Sequence, residues 1–580
     1  MAKPKKATGP ARAGSDPTPE SLESVGIVLG TRDVSPLEFW VGVRPGHQLE
    51  LDDHVVVDAE TPRGEPVTFY GLVDQVKKRL EGTQFDGDGF RVAEGLLPAE
   101  VSHSAHVQVT RIEPEVFAPP EPGDPVRVVR GSDYQKALCF DRMERKIPVG
   151  LTRSGEPVYA NLEFLDGTRG AHASISGIPG VATKTSYATF LIYSLFRSNA
   201  LGIERANTKA LIFNVKGEDL LWLDKPNAKL TESARREYEK LQLPVGPFES
   251  VGLFAPVRKG PGTPMPATGG RQTGVSPYAW TLRAFARDRL LRFAFAEADD
   301  VKTQVSFVIA RVEAALQRAA EEGDKIDPDD PSLTVASRRL ESFRDLVDLA
   351  DTPALDTMMG GSPLQGGTLD AFRRRLHAAS DDLGHLIRGD HAARKLGIDW
   401  ARNQVTVVDI HGLRSRAQMF VVGVLLQKMM SQKESQGTSR PLVFVVLDEL
   451  NKYAPREGSS SIKEVLRDIA ERGRSLGVSL LGAQQTASEV ERRVVGNASI
   501  RVVGRLDVAE SERSEYGYLT SAARSRASLL QPGTMIVTQP EIPTPILLRF
   551  PFPAWATRKS EAVPDPASGQ EVFHGFEDPA

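Results

Sequence analysis

The sequence contains only one cysteine, Cys139, among its 580 residues. A single thiol cannot form an intramolecular disulfide, and the basic N-terminal segment lacks the apolar stretch of a secretory signal. No segment approaches the roughly 18 uncharged apolar residues that a membrane-spanning helix requires. A disulfide scaffold and a membrane-embedded motor are therefore disfavoured, and we expect a protein of the reducing cytoplasm without a membrane partner.

An excess of charge of one sign is also lacking. The chain carries 72 basic and 76 acidic residues, for a formal net charge of -4. Bulk electrostatics therefore does not indicate a nucleic-acid binder, although a basic lining confined to a channel would not appear in this sum. Composition leaves the partner open, and the length allows about three to five domains.

The N-terminal part of the chain divides into a tail and a small β domain. Residues 1–24 are basic and then rich in proline, glycine and serine, which predicts a disordered tail. Residues 25–120 contain short apolar runs with alternation, separated by turn signals such as PG, DD and DGDG. This pattern predicts a small β-barrel that ends in a proline-rich linker.

The remainder of the chain has the pattern of an α/β core interrupted by one insertion. Apolar strands alternate with amphipathic or apolar helices on both sides of the interruption, which predicts βαβ units and a parallel sheet. The predicted segments are the first part of the core at residues 121–227, an irregular and helical insertion at 228–400, the second part of the core at 401–545, and a C-terminal strap and tail at 546–580.

A candidate phosphate-binding loop, SGIPGVATKTS, occupies residues 176–186 between an apolar strand and an apolar helix. Glycines let backbone N–H groups converge on phosphate oxygens, Lys184 supplies a positive charge, and the Thr185 hydroxyl can coordinate magnesium. The usual loop has glycine before the lysine, whereas this one has Thr183 and is one residue longer, so we expect a bulge; an ordinary glycine-rich turn is the alternative. The predicted nucleotide-binding residues are Gly177, Gly180, Val181, Ala182, Thr183, Lys184, Thr185 and Ser186.

A second candidate site lies in residues 441–450, where a fully apolar strand ends in two adjacent carboxylates. Asp448, at the tip of the strand, can hold magnesium through water, and Glu449 can polarise the water that attacks a γ-phosphate. A solvated acidic turn is the alternative. The position of the pair downstream of a phosphate loop, in the same α/β core, favours the site.

A third feature spans residues 471–490, where an arginine-containing helix end precedes a strand that ends in two glutamines. Gln484 and Gln485 are placed to sense a γ-phosphate, and Arg472 and Arg474 could reach the nucleotide of a neighbouring subunit. A surface salt bridge is the equally weighted alternative for each arginine.

Other charged residues follow predicted strands at the same edge of the sheet. Glu218, Asp219 and Asp409 are expected to surround the site rather than to form it, because ligands bind at the carboxyl ends of parallel strands. Lys452 and Arg456, just after the carboxylate pair, are candidates for contacts to DNA phosphates.

Together these motifs resemble the HerA family, in the HerA/FtsK branch of hexameric DNA-translocating ATPases that work with the NurA nuclease on DNA ends. The resemblance is carried by the N-terminal barrel, the order of phosphate loop, helical insertion and DE strand, and the segment RGRSLGVSLLGAQQ. It implies a RecA-like P-loop core, ATP and Mg²⁺ as ligands, a homohexamer, duplex DNA as substrate, and a barrel that docks a NurA-type nuclease.

The resemblance also assigns roles to residues. Asp448 is implied as the Walker B aspartate, Glu449 as the catalytic glutamate, Gln484 or Gln485 as the sensor, and Arg474 as an arginine finger acting in trans. The C-terminal strap, with Phe550, Phe552 and Trp555 as anchors, is implied to cross to a neighbouring subunit, and folding back on its own subunit is nearly as well supported.

The leading hypothesis is therefore an ATP-driven hexameric DNA translocase or helicase that acts in DNA end resection for double-strand break repair. A nucleotide-gated ring scaffold for an effector complex, for example in anti-phage defence, is the alternative, because the lengthened phosphate loop departs from the motor pattern. A ring ATPase for protein substrates is a third and weaker hypothesis.

Overall fold

The computed structural model describes residues 24–83, 85–178, 180, 184–260, 263–271, 273–295, 304–359 and 366–562. The predicted disordered tail thus falls outside the described residues except for Ser24. The chain divides into two compact units, one comprising Met1–Met143 with Glu541–Thr544 and the other Glu144–Pro540 with Pro545–Ala580.

The first unit contains a closed six-stranded antiparallel barrel, which confirms the barrel predicted from the sequence. Its strand order is β1-β2-β5-β4-β3-β6. The strands are β1 (Ser24–Val28), β2 (Glu38–Val43), β3 (His54–Glu60), β4 (Pro66–Glu81), β5 (Glu100–Glu113) and β6 (Pro125–Val128). Two short helices accompany them, α1 (Asp88–Ala93) and α2 (Ser132–Ala137).

The barrel interior is filled by apolar residues that alternate along the strands. Val55 and Val57 of β3 and Phe69 of β4 belong to the interior apolar cluster, whereas Val56, which is equally buried, belongs to a separate cluster, as the period of two predicts. The long strand β4 bends at a register shift between Tyr70 and Gly71. A Cβ at Gly71 would overlap the facing Val107 side chain, so glycine is required at this close approach.

The second unit is built on a twelve-stranded sheet. Four short strands, β13 to β16, form two separate pairs. The strands are β7 (Lys146–Leu151), β8 (Pro157–Asn161), β9 (Ala173–Ser176), β10 (Lys209–Asn214), β11 (Val251–Pro256), β12 (Val275–Tyr278), β13 (Trp280–Thr281), β14 (Leu333–Val335), β15 (Arg338–Leu340), β16 (Ile387–Arg388), β17 (Val405–Asp409), β18 (Val443–Leu447), β19 (Val478–Gln484), β20 (Ile500–Val503), β21 (Thr534–Gln539) and β22 (Ile542–Arg549).

The order of the large sheet is β12-β11-β17-β10-β18-β19-β9-β20-β21-β22-β7-β8. The described strands from β12 to β20 in this order pair in parallel, and β21 begins an antiparallel edge. The strand that precedes the phosphate loop, β9, is separated from the DE strand β18 by β19, which is the arrangement of a RecA-like core. The predicted α/β fold class is confirmed.

The helices of the second unit cover the sheet and form the insertion. No helix within the described residues is both long enough and apolar enough to cross a membrane. The helices are α3 (Lys184–Arg197), α4 (Glu232–Lys240), α5 (Leu282–Arg287), α6 (Leu291–Ala294), α7 (Gln304–Ile326), α8 (Phe343–Ala350), α9 (Ala354–Met358), α10 (Gly366–Leu383), α11 (Ser415–Gln436), α12 (Leu450–Tyr453), α13 (Ser461–Leu476), α14 (Arg492–Gly496), α15 (Val508–Ser511) and α16 (Ser521–Ala527).

The parallel strands are buried on both faces, which explains their continuous apolar runs. All five residues of β18 are buried, as expected for a central strand covered by helices on each side. α3 packs against β9, β18 and β19, and α13 packs against β19 and α11. The carboxyl ends of β9, β10, β17, β18 and β19 consequently share one edge, where a ligand of an open α/β sheet binds.

The insertion between β12 and β17 contains the predicted helical subdomain. Val305, Val308, Val312 and Leu316 are buried on one face of α7, in the same apolar cluster as residues of α8 and α10. Their burial follows from the helix period, because apolar residues three and four apart lie on one side of a helix.

The C-terminal strap, up to residue 562, folds back on its own chain. Trp555 is 1% exposed, and its ring lies 4.9 Å from that of Tyr193. Phe550 packs against Tyr187 at 5.1 Å between ring centroids, while Phe552 is 47% exposed. Within the described residues, two of the three predicted anchors are therefore buried in the subunit to which they belong.

Candidate active site

The candidate phosphate loop begins where β9 ends and leads into α3. The Gly177 N–H donates to the carbonyl of Gln484 (3.2 Å), and the Ile178 N–H donates to the carbonyl of Arg505 (2.8 Å). These two bonds hold the start of the loop between the neighbouring strand ends on either side. Gly180 adopts a φ of 79°, which favours glycine. Three predicted members of the loop, Val181, Ala182 and Thr183, lie outside the described residues.

Lys184 is the first residue of α3, and its side chain is held within the loop. Its ammonium donates to the Gly177 carbonyl at 2.7 Å, and the residue is 3% exposed. Burial lowers the pKa of this ammonium from its ordinary value, while the nearby Asp448 carboxylate opposes the shift. A buried ammonium at the start of a helix is an arrangement that favours anions.

Thr185 and Asp448 meet although 263 residues separate them in the chain. The Thr185 hydroxyl donates to Asp448 Oδ2 at 2.6 Å. The Thr189 hydroxyl donates to the Thr185 carbonyl at 2.7 Å, within the first turns of α3. The next loop residue, Ser186, is half-buried on the same turn. Two of the predicted metal-binding side chains are thus adjacent, and both present oxygen atoms, which Mg²⁺ prefers.

The two carboxylates at the end of β18 differ in burial and backbone conformation. Asp448 is 2% exposed, whereas the side chain of Glu449 is 27% exposed. Glu449 has a φ of 55°, a left-handed conformation that costs a non-glycine residue on the order of 1–2 kcal/mol. Its N–H donates to Asp448 Oδ1 at 2.8 Å. A strained residue next to a buried acid is a recurrent feature of functional sites.

Lys216 is a member of this cluster that the sequence analysis did not identify. Its ammonium lies 3.3 Å from Asp448 Oδ2 and 3.3 Å from Glu449 Oε1. Burial on its own would lower the pKa of this ammonium, but the two carboxylates raise the pKa above its ordinary value. The signal in the sequence is a lysine two residues after the buried strand β10 and two residues before Glu218.

The two glutamines that end β19 lie in different environments. Gln484 is fully buried, and its amide donates to the hydroxyls of Ser174 (2.7 Å) and Ser176 (2.9 Å) on β9. Gln485, one residue further, is half-buried at the edge of the sheet. The Gln484 side chain therefore links two strands, and Gln485 is the one of the pair that lies beyond the strand.

The candidate arginines are engaged within their own chain. Arg474 donates to the carbonyls of Gly167 (3.1 Å) and Thr168 (2.9 Å). Arg472 is paired with Glu434 (2.6 Å) and with Asp468 (3.1 Å).

The other charged residues predicted at this edge have partners of their own. Asp409 accepts from the amide of Asn214 (2.8 Å) and pairs with the ring of His411 (2.9 Å). Glu218 accepts from the Gly270 N–H at 2.7 Å. Lys452 donates to the Gln418 side chain and Arg456 pairs with Glu515 at 2.9 Å.

A cavity of 560 Å³ lies elsewhere in the second unit, between the segment that contains β13 and helix α11. Trp280, Arg287, Leu425 and Lys428 are among its lining residues, and none of the predicted site residues lines it. The chemistry identified in the sequence is instead concentrated at the carboxyl edge of the sheet.

No protein-family model matches the sequence, and no curated protein matches it either. Among solved structures, VirB4 of Thermoanaerobacter pseudethanolicus is 15% identical, with 70% of this chain and 96% of that chain covered and a TM-score of 0.45. The plasmid coupling protein TrwB in complex with a non-hydrolysable ATP analogue is 13% identical, with 76% and 96% covered and a TM-score of 0.46. The genome packaging NTPase B204 from Sulfolobus turreted icosahedral virus 2, in complex with ATP-gammaS, is 16% identical, with 26% and 70% covered and a TM-score of 0.20. At these identities the similarities concern the fold alone.

Proposed function

We propose that the chain is an ATPase whose nucleotide binds between the loop that carries Lys184 and the carboxylates of Asp448 and Glu449. The observation that carries this proposal is the contact of 2.6 Å between the Thr185 hydroxyl and Asp448 Oδ2. A phosphate-loop hydroxyl and a strand-end aspartate brought together at the edge of a RecA-like sheet match the requirements of phosphoryl transfer.

The residues present fit a Mg²⁺–nucleotide complex. Mg²⁺ is usually bound by one or two carboxylates together with substrate phosphates and water, and Thr185 and Asp448 would hold it here. When bound, the ion neutralises charge on the phosphate oxygens. Lys184 would contact the phosphates, and Glu449, half-buried beside Asp448, would orient and polarise the attacking water.

The proposal extends to a motor of the HerA family. In it, a homohexamer pumps duplex DNA, works with a NurA-type nuclease docked through the N-terminal barrel, and acts in DNA end resection in the cytoplasm. The resemblance of the motif order and of the segment RGRSLGVSLLGAQQ supports this extension. Gln485 is proposed as the γ-phosphate sensor, because the Gln484 amide is bonded to two serine hydroxyls.

Arg474 is proposed to act in trans on the nucleotide of a neighbouring subunit. Its guanidinium donates to the carbonyls of Gly167 and Thr168 in its own chain, so a role in trans requires it to exchange these bonds. The exchange is feasible because both bonds are at an exposed position. Hydrolysis would then depend on assembly of the ring.

The alternative function is a nucleotide-gated ring scaffold for an effector complex, without translocation. The specific observation in its favour is the phosphate loop, which has Thr183 in place of the usual glycine and one additional residue. A loop altered in this way can retain binding while hydrolysis is slow.

The test is ATP turnover by the assembled protein, measured with and without linear duplex DNA. We expect DNA to stimulate turnover, Lys184→Ala to abolish nucleotide binding, and Glu449→Gln to lower kcat by about 10²–10⁴-fold while binding is kept. Glu457→Gln, at an exposed position shortly downstream, is the matched control and should leave kcat unchanged.

Two outcomes would contradict the motor. Turnover that does not respond to DNA, either alone or with the nuclease, excludes a translocase. If Glu449→Gln retains biological activity while Lys184→Ala abolishes assembly, the scaffold is the correct function.

A further inference from the structure

The Lys216 ammonium contacts both carboxylates that follow β18, although Lys216 belongs neither to the candidate phosphate loop nor to the DE strand. Lys216 follows β10, the strand adjacent to β18, and its ammonium is 3.3 Å from an oxygen of Asp448 and 3.3 Å from an oxygen of Glu449. One cation therefore bridges the two acids to which the proposed function assigns separate roles.

The backbone around Lys216 is fixed by contacts of its own. The amide of Asn214 donates to the Gly217 carbonyl (2.7 Å) and to Asp409 Oδ1 (2.8 Å), which anchors the turn after β10. Gly217 has a φ of 56°, which favours glycine. The parallel register pairs Phe213 with Leu447, so the residues that follow the two strands lie side by side at the same edge of the sheet.

Two donors converge on the same oxygen atom. Asp448 Oδ2 accepts from the Thr185 hydroxyl at 2.6 Å and from the Lys216 ammonium at 3.3 Å. A divalent cation held by Thr185 and by Asp448, directly or through water, would add a second positive charge beside this carboxylate, and two cations next to one carboxylate repel each other. The metal and the Lys216 ammonium would therefore compete for the negative charge of Asp448.

The two lysines of the site differ in their freedom to move. Lys184 is 3% exposed and is bonded to the Gly177 carbonyl, whereas the side chain of Lys216 is 45% exposed. A lysine ammonium on a flexible four-carbon stem can shift by a few ångströms when half of the side chain is in solvent. Of the two lysines, Lys216 is the one whose ammonium can move away from Asp448 when a metal binds.

We propose that Lys216 is an internal cation that competes with magnesium for Asp448 and that, once magnesium is bound, remains on Glu449 and holds its carboxylate in position. This inference rests on the proposed nucleotide site. It makes Lys216 a positioning residue for the hydrolysis carboxylate and a determinant of how tightly the metal is bound.

The competition predicts opposite effects of one substitution on two measurements. Lys216→Met should tighten the binding of Mn²⁺ in the presence of ADP by about fivefold, the size expected when a half-exposed ion pair is removed. It should also lower kcat for ATP by about tenfold, with little change in KM, because Glu449 loses the partner that orients it.

The experiment titrates Mn²⁺ into the full-length protein with ADP and follows free Mn²⁺ by electron paramagnetic resonance. Lys216→Arg, which keeps the charge, should bind Mn²⁺ with nearly the wild-type affinity. Lys209→Met is the matched control, because Lys209 begins the same strand at the opposite edge of the sheet, and its Mn²⁺ affinity should equal that of the wild type. Thermal melting of each variant confirms that it folds.

The outcomes separate this inference from the proposed function. Wild-type protein that binds no Mn²⁺ with ADP and hydrolyses no ATP overturns the proposed function. If the wild type binds and hydrolyses normally while Lys216→Met binds Mn²⁺ with unchanged or weaker affinity, only the competition is overturned. Tighter Mn²⁺ binding by Lys216→Met, reversed in Lys216→Arg, supports it.

Discussion

An almost completely buried aspartate lies at the carboxyl end of two strands of the central sheet, as the last residue of β17 and as the residue directly after β18. Asp409 is 1% exposed and Asp448 is 2% exposed, and β10 separates the two strands. Asp409 is bonded to the amide of Asn214 and to the ring of His411, at 2.8 and 2.9 Å. Asp448 instead contacts the Thr185 hydroxyl and the Lys216 ammonium.

The two aspartates differ in whether their hydrogen-bond partners are groups that would also bind a metal ion or a phosphate. The partners of Asp409 are the side chain of Asn214 on the adjacent strand and the ring of His411 two residues later, so this carboxylate ties together the turns at the edge of the sheet. Two partners of Asp448, the Thr185 hydroxyl of the candidate phosphate loop and the ammonium of the half-exposed Lys216, are groups that a metal ion or a phosphate would also engage. A buried acid at a strand end thus indicates a functional site only when its partners can be exchanged.

The largest test of this comparison is to neutralise each aspartate in turn. Asp448→Asn should lower ATP turnover by about 10²–10³-fold with little loss of stability, because it removes a carboxylate from the site of charge stabilisation. Asp409→Asn should cost about 1–3 kcal/mol of stability, seen as a lower Tm, because buried hydrogen bonds to a charged group are lost. Its turnover should change by less than about threefold.

Turnover assays and thermal melts of both variants together distinguish a loss of activity from a loss of stability. If Asp409→Asn loses as much turnover as Asp448→Asn while its Tm is unchanged, the distinction between the two acids by their partners is wrong.

The same contrast explains which parts of the site could be predicted from the sequence. The run of apolar residues in β18 required a strand covered on both faces, so Asp448 and Glu449 had to emerge at its end. The apolar residues of α7 recur at helical spacing and are buried on one face, so this burial too follows from the local sequence. These predictions depend on residues that are close together in the chain.

The contacts that the sequence could not give depend on register between distant strands. The pairing of Lys216 with Asp448 spans 232 residues and follows from the alignment of β10 with β18. The orientation of Gln484 depends on serines of β9, which lie 310 and 308 residues away. No local pattern specifies which strands become neighbours, so neither contact was predictable.

Gln484 and Gln485 provide a second and smaller test of the comparison. Gln485→Ala should lower kcat by about tenfold without altering nucleotide affinity, the behaviour of a group that acts only in the transition state. Gln484→Ala should mainly lower the free energy of unfolding, by about 1–3 kcal/mol, because the buried serine hydroxyls lose their partner. The loss should appear as a lower Tm.

The measurements are single-turnover hydrolysis, nucleotide binding and thermal melting of both variants. A Gln484→Ala protein with the wild-type Tm and a tenfold lower kcat would identify the buried glutamine as the sensor. Substitution at Gln485 would then be expected to have little effect on hydrolysis.

The smallest test concerns the stability that the pairing of Asp409 with His411 contributes, and how this contribution depends on pH. The hydrogen bond that the His411 ring donates to the Asp409 carboxylate raises the pKa of His411 above its ordinary value of 6.5 in the folded protein. A raised folded-state pKa means that the protonated ring contributes stability fully below pH 6.5 and that this contribution is lost as the pH rises through the folded-state pKa. The side chain of His411 is 28% exposed, so solvent screening keeps the effect small.

We therefore expect His411→Gln to lower the Tm at pH 6 and to have a smaller effect at pH 8, with His391→Gln, at an exposed position, as the control. Thermal melts at several pH values measure the difference between each variant and the wild type. A Tm difference for His411→Gln that stays constant with pH would show that the ring contributes packing alone. The ion pair with Asp409 would then add nothing, and the neutral bond from Asn214 would have to account for the burial of that carboxylate.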